Sequence, residues 1–452
     1  NFGKKTSEHI DLPDVIKSSP QAMRDHAKET AQNPQDYDYA FFPIKNPGLI
    51  PSEVRLTDTI SSTYFKKHEE IQNAYYGSDA NAKFGLDDHN DTFGSNNRKI
   101  YRHEIVSPFL KVHVLIKKAF ELLGMGVDNQ WQVDDELKQI YIYNNHNSFS
   151  RQWPALIALK KHLPRVKLNE GIKDICATFC IGIFPDLVKK KILLLPLKEL
   201  LSRAHDADWT DRQLKGSTNS GDVHIPSEIM YQDSSIPAID TEDYSSLLQF
   251  TADYGNYPYY PYGKHFMESI STYVDQVDDV NSNIILKTDV HTFFNKMDVG
   301  GDGEVLLLNA TPLLFDATAS QVFAKLSHLD DYSANHLNIY TQGSGSYYKY
   351  DHDGDPIDEN ENVVTEFSAS HQLVTVDDTI DSVKLMLFRG MINTFDNQGN
   401  TATIPWASNN AYNPTDEDIT YEYSLHLDGE RGLYEKFWKE WIEFLRNKKT
   451  VT

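Results

Sequence analysis

The sequence predicts a multidomain α+β protein, and three observations lead to this prediction. Two stretches, 107–145 and 168–196, each place apolar residues at helical spacing before extended segments, so each is predicted to be a helix–hairpin module. Residues 284–405 carry short apolar runs between Gly- and Asp-rich turns, as in an antiparallel sandwich or barrel. The last segment carries aromatic residues at helical spacing, which predicts an amphipathic helix. At 452 residues the chain is too long for one compact core.

The first helix–hairpin module depends on a stripe of apolar residues. The stripe consists of Phe109, Val112, Ile116, Ala119, Phe120 and Leu123. Pro108 suits the first helical turn, where no N–H is needed, and Gly124 can end the helix in a left-handed conformation. Residues 134–136 are predicted to form a polar turn, and 139–143 alternates like a strand with one buried face.

The second module repeats the pattern less regularly. Its stripe consists of Leu168, Ile172, Ile175, Cys176 and Phe179. An extended run at 182–184, a turn at Pro185 and a returning run at 191–196 follow it. Neither module can bury its apolar face alone, so each needs a sheet or its twin to pack against. The similarity predicts a duplication, although generic α+β patterning gives a similar sequence.

The remaining chain divides by composition. The predicted units are a loop-rich N-terminal module at 1–105 with a short helix at 21–31, the duplicated modules at 106–205, a linker and aromatic loop region at 206–283, an all-β domain at 284–410 and a C-terminal helical assembly segment at 411–452.

Charge and cysteine content exclude several classes of protein. The chain has 43 basic and 66 acidic side chains, a net charge of −23 that disfavours binding to nucleic-acid phosphates. The same sign suits a channel through which DNA must slide without adhering, although solubility is by itself the better explanation of the charge. Cys176 and Cys180 are the only cysteines, and their helical spacing predicts two buried thiols and no disulfide. No apolar run approaches the ~20 residues of a membrane helix, so we expect no membrane insertion.

The sequence contains no catalytic motif that we can identify. No two of the 17 histidines lie within four residues of each other, which excludes the His-x-x-x-His zinc helix. The glycine run at 300–303 lacks dinucleotide-binding spacing and is predicted to be a hairpin turn. We therefore expect no enzyme, no catalytic residue and no cofactor.

Two loops offer weaker candidates for ligand binding. Asp351, Asp353 and Asp355 occupy positions 1, 3 and 5 of a loop, as in many calcium sites. Position 12 would be Asn362 and not glutamate, so a solvated acidic hairpin without high-affinity calcium is the prediction. The aromatic loop at 254–263 is predicted to fill a crevice between domains; the alternative is an exposed loop that stacks on sugars or binds a partner.

The C-terminal helix is predicted from Gly432 to Asn447, and its aromatic stripe is the predicted interface. The stripe consists of Phe437, Trp438, Trp441, Phe444 and Leu445. Side chains of this size need burial, so we expect the stripe to pack on another domain or on another subunit.

Several segments together resemble a known family. These are DYAFFPIKNP, SPFLKVHVLIKKAFELLG, DDELKQIYIYNN, LIALKKHLPRVKLNEGIKDICATFCIGIF, KKKILLLPLKELL, LMLFRGM and SLHLDGERGLYEKFWKEWIEFLRNKKTV. In this order they resemble tail proteins of phages and prophages of the Bacteroidetes and, more distantly, baseplate-hub and tail-tip proteins of tailed bacteriophages. The resemblance covers about 1–200 and 380–452.

This resemblance implies a structural virion protein of the distal tail. Such a protein forms a homotrimeric ring that caps the tail tube, contacts other tail-tip or baseplate proteins and lets DNA pass during genome ejection. Two modules per chain would let a trimer present six related units to a sixfold tube. The alternatives are a glycan-binding or receptor-binding virion protein or a glycan-cleaving enzyme that uses the Tyr-rich loop, or another position in the virion, such as an adaptor.

Overall fold

The computed structural model describes part of the chain. The described residues are 10–45, 71–73, 75–76, 83–84, 88–93, 98–103, 106–146, 155–201, 224–232, 274–278, 283–286, 296–312, 314–317, 322–325, 337–342, 349–350, 356–357, 374–376, 382–395, 401–407, 409, 411, 421–427 and 429–447. They combine helices and strands, and none of their helices is long and apolar enough to span a membrane.

The helical elements are short. The α-helices are α1 (Pro20–Gln32), α2 (Val112–Glu121), α3 (Leu168–Thr178), α4 (Leu197–Leu200) and α5 (Lys439–Asn447). Three single turns of 3-10 helix are Pro34–Asp36, Leu137–Gln139 and Leu159–His162, and a π-helical turn, Tyr434–Trp438, leads directly into α5.

The strands are numbered along the chain. The strands up to residue 231 are β1 (Val15–Lys17), β2 (Tyr39–Ala40), β3 (Ile44–Lys45), β4 (Ile71–Gln72), β5 (Tyr75–Tyr76), β6 (Lys83–Phe84), β7 (Asp88–Phe93), β8 (Arg98–His103), β9 (Phe109–Lys111), β10 (Gly126–Asn129), β11 (Ile140–Ile142), β12 (Ala155–Ile157), β13 (Ile181–Asp186), β14 (Lys191–Pro196) and β15 (Glu228–Tyr231). The later strands are β16 (Val274–Asp278), β17 (Asn283–Leu286), β18 (Lys296–Asp298), β19 (Leu306–Leu308), β20 (Thr311–Pro312), β21 (Leu314–Ala317), β22 (Val322–Lys325), β23 (Leu337–Gln342), β24 (Lys349–Tyr350), β25 (Pro356–Ile357), β26 (Val374–Val376), β27 (Lys384–Phe395) and β28 (Thr401–Ala407).

A central sheet gathers strands from distant parts of the chain. Its order is β2-β9-β11-β27-β20, and β28 also pairs with β27. β11 lies between β9 and β27, and Ile142 is opposite both Leu110 and Leu385. Phe42 stacks on Phe388 with ring centroids 4.8 Å apart. Because all three residues of β11 are buried, the predicted alternation of one buried and one exposed face is wrong there.

The first module differs from its prediction at its start. Phe109–Lys111 is a strand, and the helix begins only at Val112. The apolar spacing favours a helix, but β9 pairs with β2 on one side and β11 on the other. Tertiary pairing therefore overrides the local pattern. The N-terminal helix predicted at 21–31 is confirmed by α1, with Ser19 as its N-cap.

The two modules share burial but not strand pairing. Phe109 and Leu168 are 0% and 1% exposed, and Phe120 and Phe179 are 6% and 0% exposed, as the repeated spacing predicts. In the second module β13 and β14 form the predicted antiparallel hairpin, but the turn predicted at Pro185 and Asp186 lies at 187–190, because both residues are paired within β13. In the first module β10 instead pairs in parallel with β14, while β11 joins the central sheet. The first module therefore lacks the predicted hairpin.

The predicted linker at 206–283 contains a core strand. β15 pairs antiparallel with β18 and parallel with β19, and Tyr231 on it is 1% exposed. The glycine run at 300–303 was predicted to be a hairpin turn. This prediction is wrong, because β18 and β19 lie on opposite sides of β15 and do not pair with each other. A Cβ on Gly301 would lie 2.2 Å from the carbonyl oxygen of Ile225, so this crossing requires glycine.

Several strands between residues 283 and 407 pair with strands that lie outside the predicted all-β domain. β20 and β27 belong to the central sheet, β22 pairs with β3, and β23 pairs with β8. The strands themselves match the prediction for the described residues. Their partners, however, include strands of the predicted N-terminal and helix–hairpin modules.

Candidate assembly surface

The C-terminal segment begins with a turn and a π-helical turn. Gly429 has φ of +81°, which glycine adopts without strain. The backbone N–H of Leu433 then donates to the carbonyl of His426 at 2.8 Å. The π-helical turn that follows is wider than an α-turn. Phe437 and Trp438, although consecutive, are both buried there.

Two of the five predicted interface residues lie in the core of their own chain. Phe437 is 3% exposed and Trp438 is 8% exposed. The indole Nε1–H of Trp438 donates to the carbonyl of Thr178 at 3.2 Å, at the end of α3. The Phe437 ring meets Phe179 edge-on, with centroids 5.5 Å apart. Of the two packing partners predicted for the stripe, the chain itself is therefore the one that these residues contact.

Of the other three predicted residues, Trp441 and Leu445 pack partly against the core, and Phe444 is exposed. Trp441 and Leu445 are half-buried, and Phe444 is 44% exposed. The rings of Trp441 and Phe444 stack with centroids 5.5 Å apart and 28° between their planes. We name Trp441, Phe444 and Leu445 the aromatic surface. Ile442, which the stripe omitted, is 1% exposed and anchors α5 from its inner side.

A buried ion pair fastens the C-terminal segment to the first module. The side chain of Arg389 on β27 is fully buried and pairs with Glu136, whose side chain is 22% exposed. Glu136 also accepts from the backbone N–H groups of Glu422 and Tyr423, at 2.9 and 3.1 Å. The guanidinium lies 4.3 Å from the ring centroid of Tyr421. Burial lowers the pKa of Arg389, and the charge of Glu136 raises it.

The ion pair could not be predicted from the sequence, because Glu136 lies in a polar turn with no distinguishing motif. The sequence does contain one indication of a buried charge, because Arg389 interrupts the otherwise apolar run 385–391. An arginine in a buried strand needs an acidic partner, but sequence cannot identify which one.

A second polar cluster is buried beside β9 and β11. Asn73, with φ of +55°, accepts from the N–H of Ser107 at 2.7 Å and donates to the Ser107 carbonyl at 2.8 Å. The Ser107 hydroxyl donates to the carbonyl of His146, so it is not aimed at a ring nitrogen. Asn144 bonds the Nδ1 of His162 at 2.8 Å. These contacts join backbone segments and do not pair a nucleophile with a base.

The predicted burial of both thiols is confirmed, but only Cys176 lies on a helix, since α3 ends at Thr178 and Cys180 has φ of +49°. Cys176 and Cys180 are free and 3% and 2% exposed. Burial raises the pKa of each thiol to about 12, which keeps both protonated and unreactive.

The predicted ligand loops lie outside the described residues. They are the acidic turn with Asp351, Asp353 and Asp355, and the Tyr-rich loop at 254–263. Within the described part of the chain, no group of three or more His, Cys, Asp or Glu side chains is arranged to hold a metal ion.

The described geometry is therefore that of a packed scaffold with an aromatic surface on its last helix. Comparisons of the chain with protein-family models, curated proteins and solved structures gave no match.

Proposed function

We propose that this protein is a structural component of the distal end of a phage tail. In this proposal, several copies form a ring, with three copies expected, that caps the tail tube and connects it to the tip. DNA passes through the ring without specific binding, and the chain catalyses no reaction. The excess of 66 acidic over 43 basic side chains suits a lumen that DNA does not adhere to.

The observation that carries this proposal is the joining of the two segments that resemble phage tail proteins. Those segments, 1–200 and 380–452, are separated by about 180 residues. In the structure, β11 from the first pairs with β27 from the second, and Glu136 pairs with Arg389. Trp438 of the second segment also donates a hydrogen bond to Thr178 of the first. If segments 1–200 and 380–452 both derive from a phage tail protein, they should fold together into one scaffold, as these contacts join them.

The aromatic surface supports the oligomeric part of the proposal. Aromatic side chains are enriched at subunit contacts, where they bury large areas at low entropic cost. Ile442 on α5 and Trp438 at the end of the preceding π-helical turn fix this segment to the core, and both are under a tenth exposed. Phe444 is therefore held outward on a rigid support, which suits recognition by a neighbouring subunit.

Electron microscopy and sedimentation velocity of the purified chain test the proposal. We expect a closed ring with threefold symmetry at about 10 μM chain, because an obligate interface is assembled at such concentrations. Phe444→Glu should weaken the ring, because it places a charge at the contact. Leu156→Glu is the matched control, since Leu156 is 52% exposed on β12, outside the aromatic surface.

A chain that stays monomeric at this concentration would contradict the proposal. A ring that dissociates equally in both variants would show that the aromatic surface is not the contact.

A further inference from the structure

The hairpin of β13 and β14 ends in a preformed turn. Oδ1 of Asp186 accepts from the N–H groups of Val188 and Lys189, at 3.1 and 2.9 Å. Lys190 has φ of +51°, and its carbonyl accepts from the N–H of Gly126 at 2.8 Å. The side chain of Asp186 and the backbone of Gly126 therefore fix the shape of the turn within a single copy of the chain.

This turn exposes two large apolar side chains that contact no other part of the described chain closely enough to be buried. Leu187 is 77% exposed and Val188 is 94% exposed. Leu122 and Leu123, which follow α2 and precede the Gly126 that is hydrogen-bonded to Lys190, are 51% and 53% exposed. Single exposed apolar residues are ordinary, but neighbouring ones mark interaction sites. We name these four residues with Lys189, Lys190 and Lys191 the hairpin tip.

The charge of the hairpin tip is opposite to that of the whole chain. Lys189, Lys190 and Lys191 are all exposed, and Asp186, 3.4 Å from Lys189, is the acidic group paired within the turn. At the end of α2, Lys117 is a further exposed cation, and the exposed Glu121 is paired with Lys118, with N and O 3.0 Å apart. The net charge of the chain is −23. An apolar centre with a cationic rim fits an acidic protein surface that has apolar residues of its own.

We propose that the hairpin tip docks on an acidic face of a second copy of this chain. This inference rests on the proposed function and deepens it by identifying a contact within the ring. Copies carrying −23 each repel one another, so a contact between them gains from a local patch of the opposite sign. The chain itself, with its 66 acidic residues, supplies the complementary partner.

The sign of the charge also dictates the kind of contact. Two hairpin tips repel each other, so the tip of one copy must meet a different surface of the next. When the next copy does not return the same contact, this head-to-tail contact is heterologous, and it generates a closed ring when the rotation between copies closes. A twofold dimer that places one hairpin tip against the other is disfavoured by their like charge.

Charge reversal at the hairpin tip tests the proposal. The variant Lys189→Glu/Lys190→Glu keeps the apolar residues and does not alter the backbone demand at 190. Its matched control is Lys160→Glu/Lys173→Glu, which makes the same change of charge at exposed positions outside the tip. Thermal unfolding of all three proteins checks that each is folded.

We expect the tip variant to need an at least ~10-fold higher concentration for half assembly, and the control to assemble as the parent does. Raising the salt from about 50 to 500 mM should weaken the parent more than the tip variant, because only the parent has the attraction to screen. Carbodiimide cross-linking of mixed light and heavy copies should join the tip lysines to carboxylates of another copy.

The outcomes separate this proposal from the one it rests on. A parent ring that survives equally in the tip variant would overturn the hairpin contact and leave the ring intact. Equal loss in variant and control would also overturn it, because total charge and not the tip would then be the cause. A monomeric parent would remove the proposed function and this contact together, and tip-dependent binding to anionic vesicles would then identify a membrane as the partner.

Discussion

The indole Nε1–H of Trp438 donates to the carbonyl of Thr178, 3.2 Å away and 260 residues earlier in the chain. Thr178 is the last residue of α3, where backbone carbonyls lack partners within the helix. The contact therefore gives the Thr178 carbonyl a hydrogen-bond donor and also anchors the C-terminal segment to the end of α3.

We predict that Trp438→Ala destabilises the folded chain by about 3–5 kcal/mol, through lost burial and the cavity left behind. Trp438→Phe should cost less, about 1–3 kcal/mol, because it keeps much of the ring and loses the hydrogen bond. Denaturant unfolding followed by circular dichroism measures both values.

Trp441→Ala is the control for this prediction, because Trp441 belongs to the half-buried aromatic surface. It should cost clearly less than Trp438→Ala in the isolated chain and act mainly on assembly. Equal losses of stability for the two alanine variants would show that the anchoring role of Trp438 is wrong.

We predict that removing Glu136 destabilises the chain by about 3 kcal/mol or more, because Arg389 would keep its charge in a fully buried position. Glu136→Gln and Arg389→Met, made singly and together, form a double-mutant cycle. The double variant should be more stable than the sum of the single losses predicts, since it leaves no unpaired charge.

The exposed pair Lys167–Glu170, with N and O 2.8 Å apart, provides the comparison. Its cycle should give a coupling of less than about 1 kcal/mol, as is usual for solvated pairs. Equal couplings in the two cycles would contradict the prediction.

Local features of the fold could be predicted from the sequence where the chain folds on its neighbours. The buried faces of α2 and α3, the hairpin of β13 and β14, and the helix at 21–31 follow from spacing alone. The burial of both cysteines does as well. In each case the residues that decide the structure lie within a few positions of one another. Leu123 is the exception in the first stripe, because it lies beyond the end of α2 and is 53% exposed.

Features that depend on distant partners could not be predicted. Phe109–Lys111 became a strand because β2 and β11 flank it, and β15 became a core strand because β18 and β19 enclose it. Single-sequence patterns carry no information on which strands pair. The candidate site shows the same limit, because the stripe predicts an amphipathic C-terminal helix but not that Trp438, in the π-helical turn before α5, contacts Thr178.

We predict that the acidic turn with Asp351, Asp353 and Asp355 binds calcium no more tightly than the millimolar range. The loop has Asn362 where a bidentate glutamate would be needed, so it provides too few oxygen ligands for tight binding. Calorimetric titration of the parent and of Asp353→Ala should give the same weak heats. A Kd of about 1–10 μM in the parent that Asp353→Ala abolishes would contradict this prediction.

We predict that acid destabilises the chain through His162. This ring is fully buried, with Nδ1 2.8 Å from Oδ1 of Asn144. Burial lowers the pKa of His162 from 6.5 to about 3, and the charge of Lys161 acts in the same direction. Below pH 6.5 the unfolded chain therefore binds a proton that the folded chain does not. Stability falls as the pH falls from 6.5 towards 3, and His162 contributes no pH dependence above that window.

The variant His162→Gln tests the sign and the size of this effect, because an amide can bond Asn144 but does not titrate. Between about pH 6 and 4.5, the free energy of unfolding of the parent should fall more steeply than that of the variant, by about 1.4 kcal/mol per pH unit. His224→Gln is the control, since His224 is exposed and solvent contacts it in both states; it should keep the slope of the parent. Other buried histidines contribute equally to all three proteins and cancel in the comparison. If His162→Gln and His224→Gln show the same slope, the ring of His162 takes up its proton in the folded chain as readily as in the unfolded chain, and its burial does not control the response to acid.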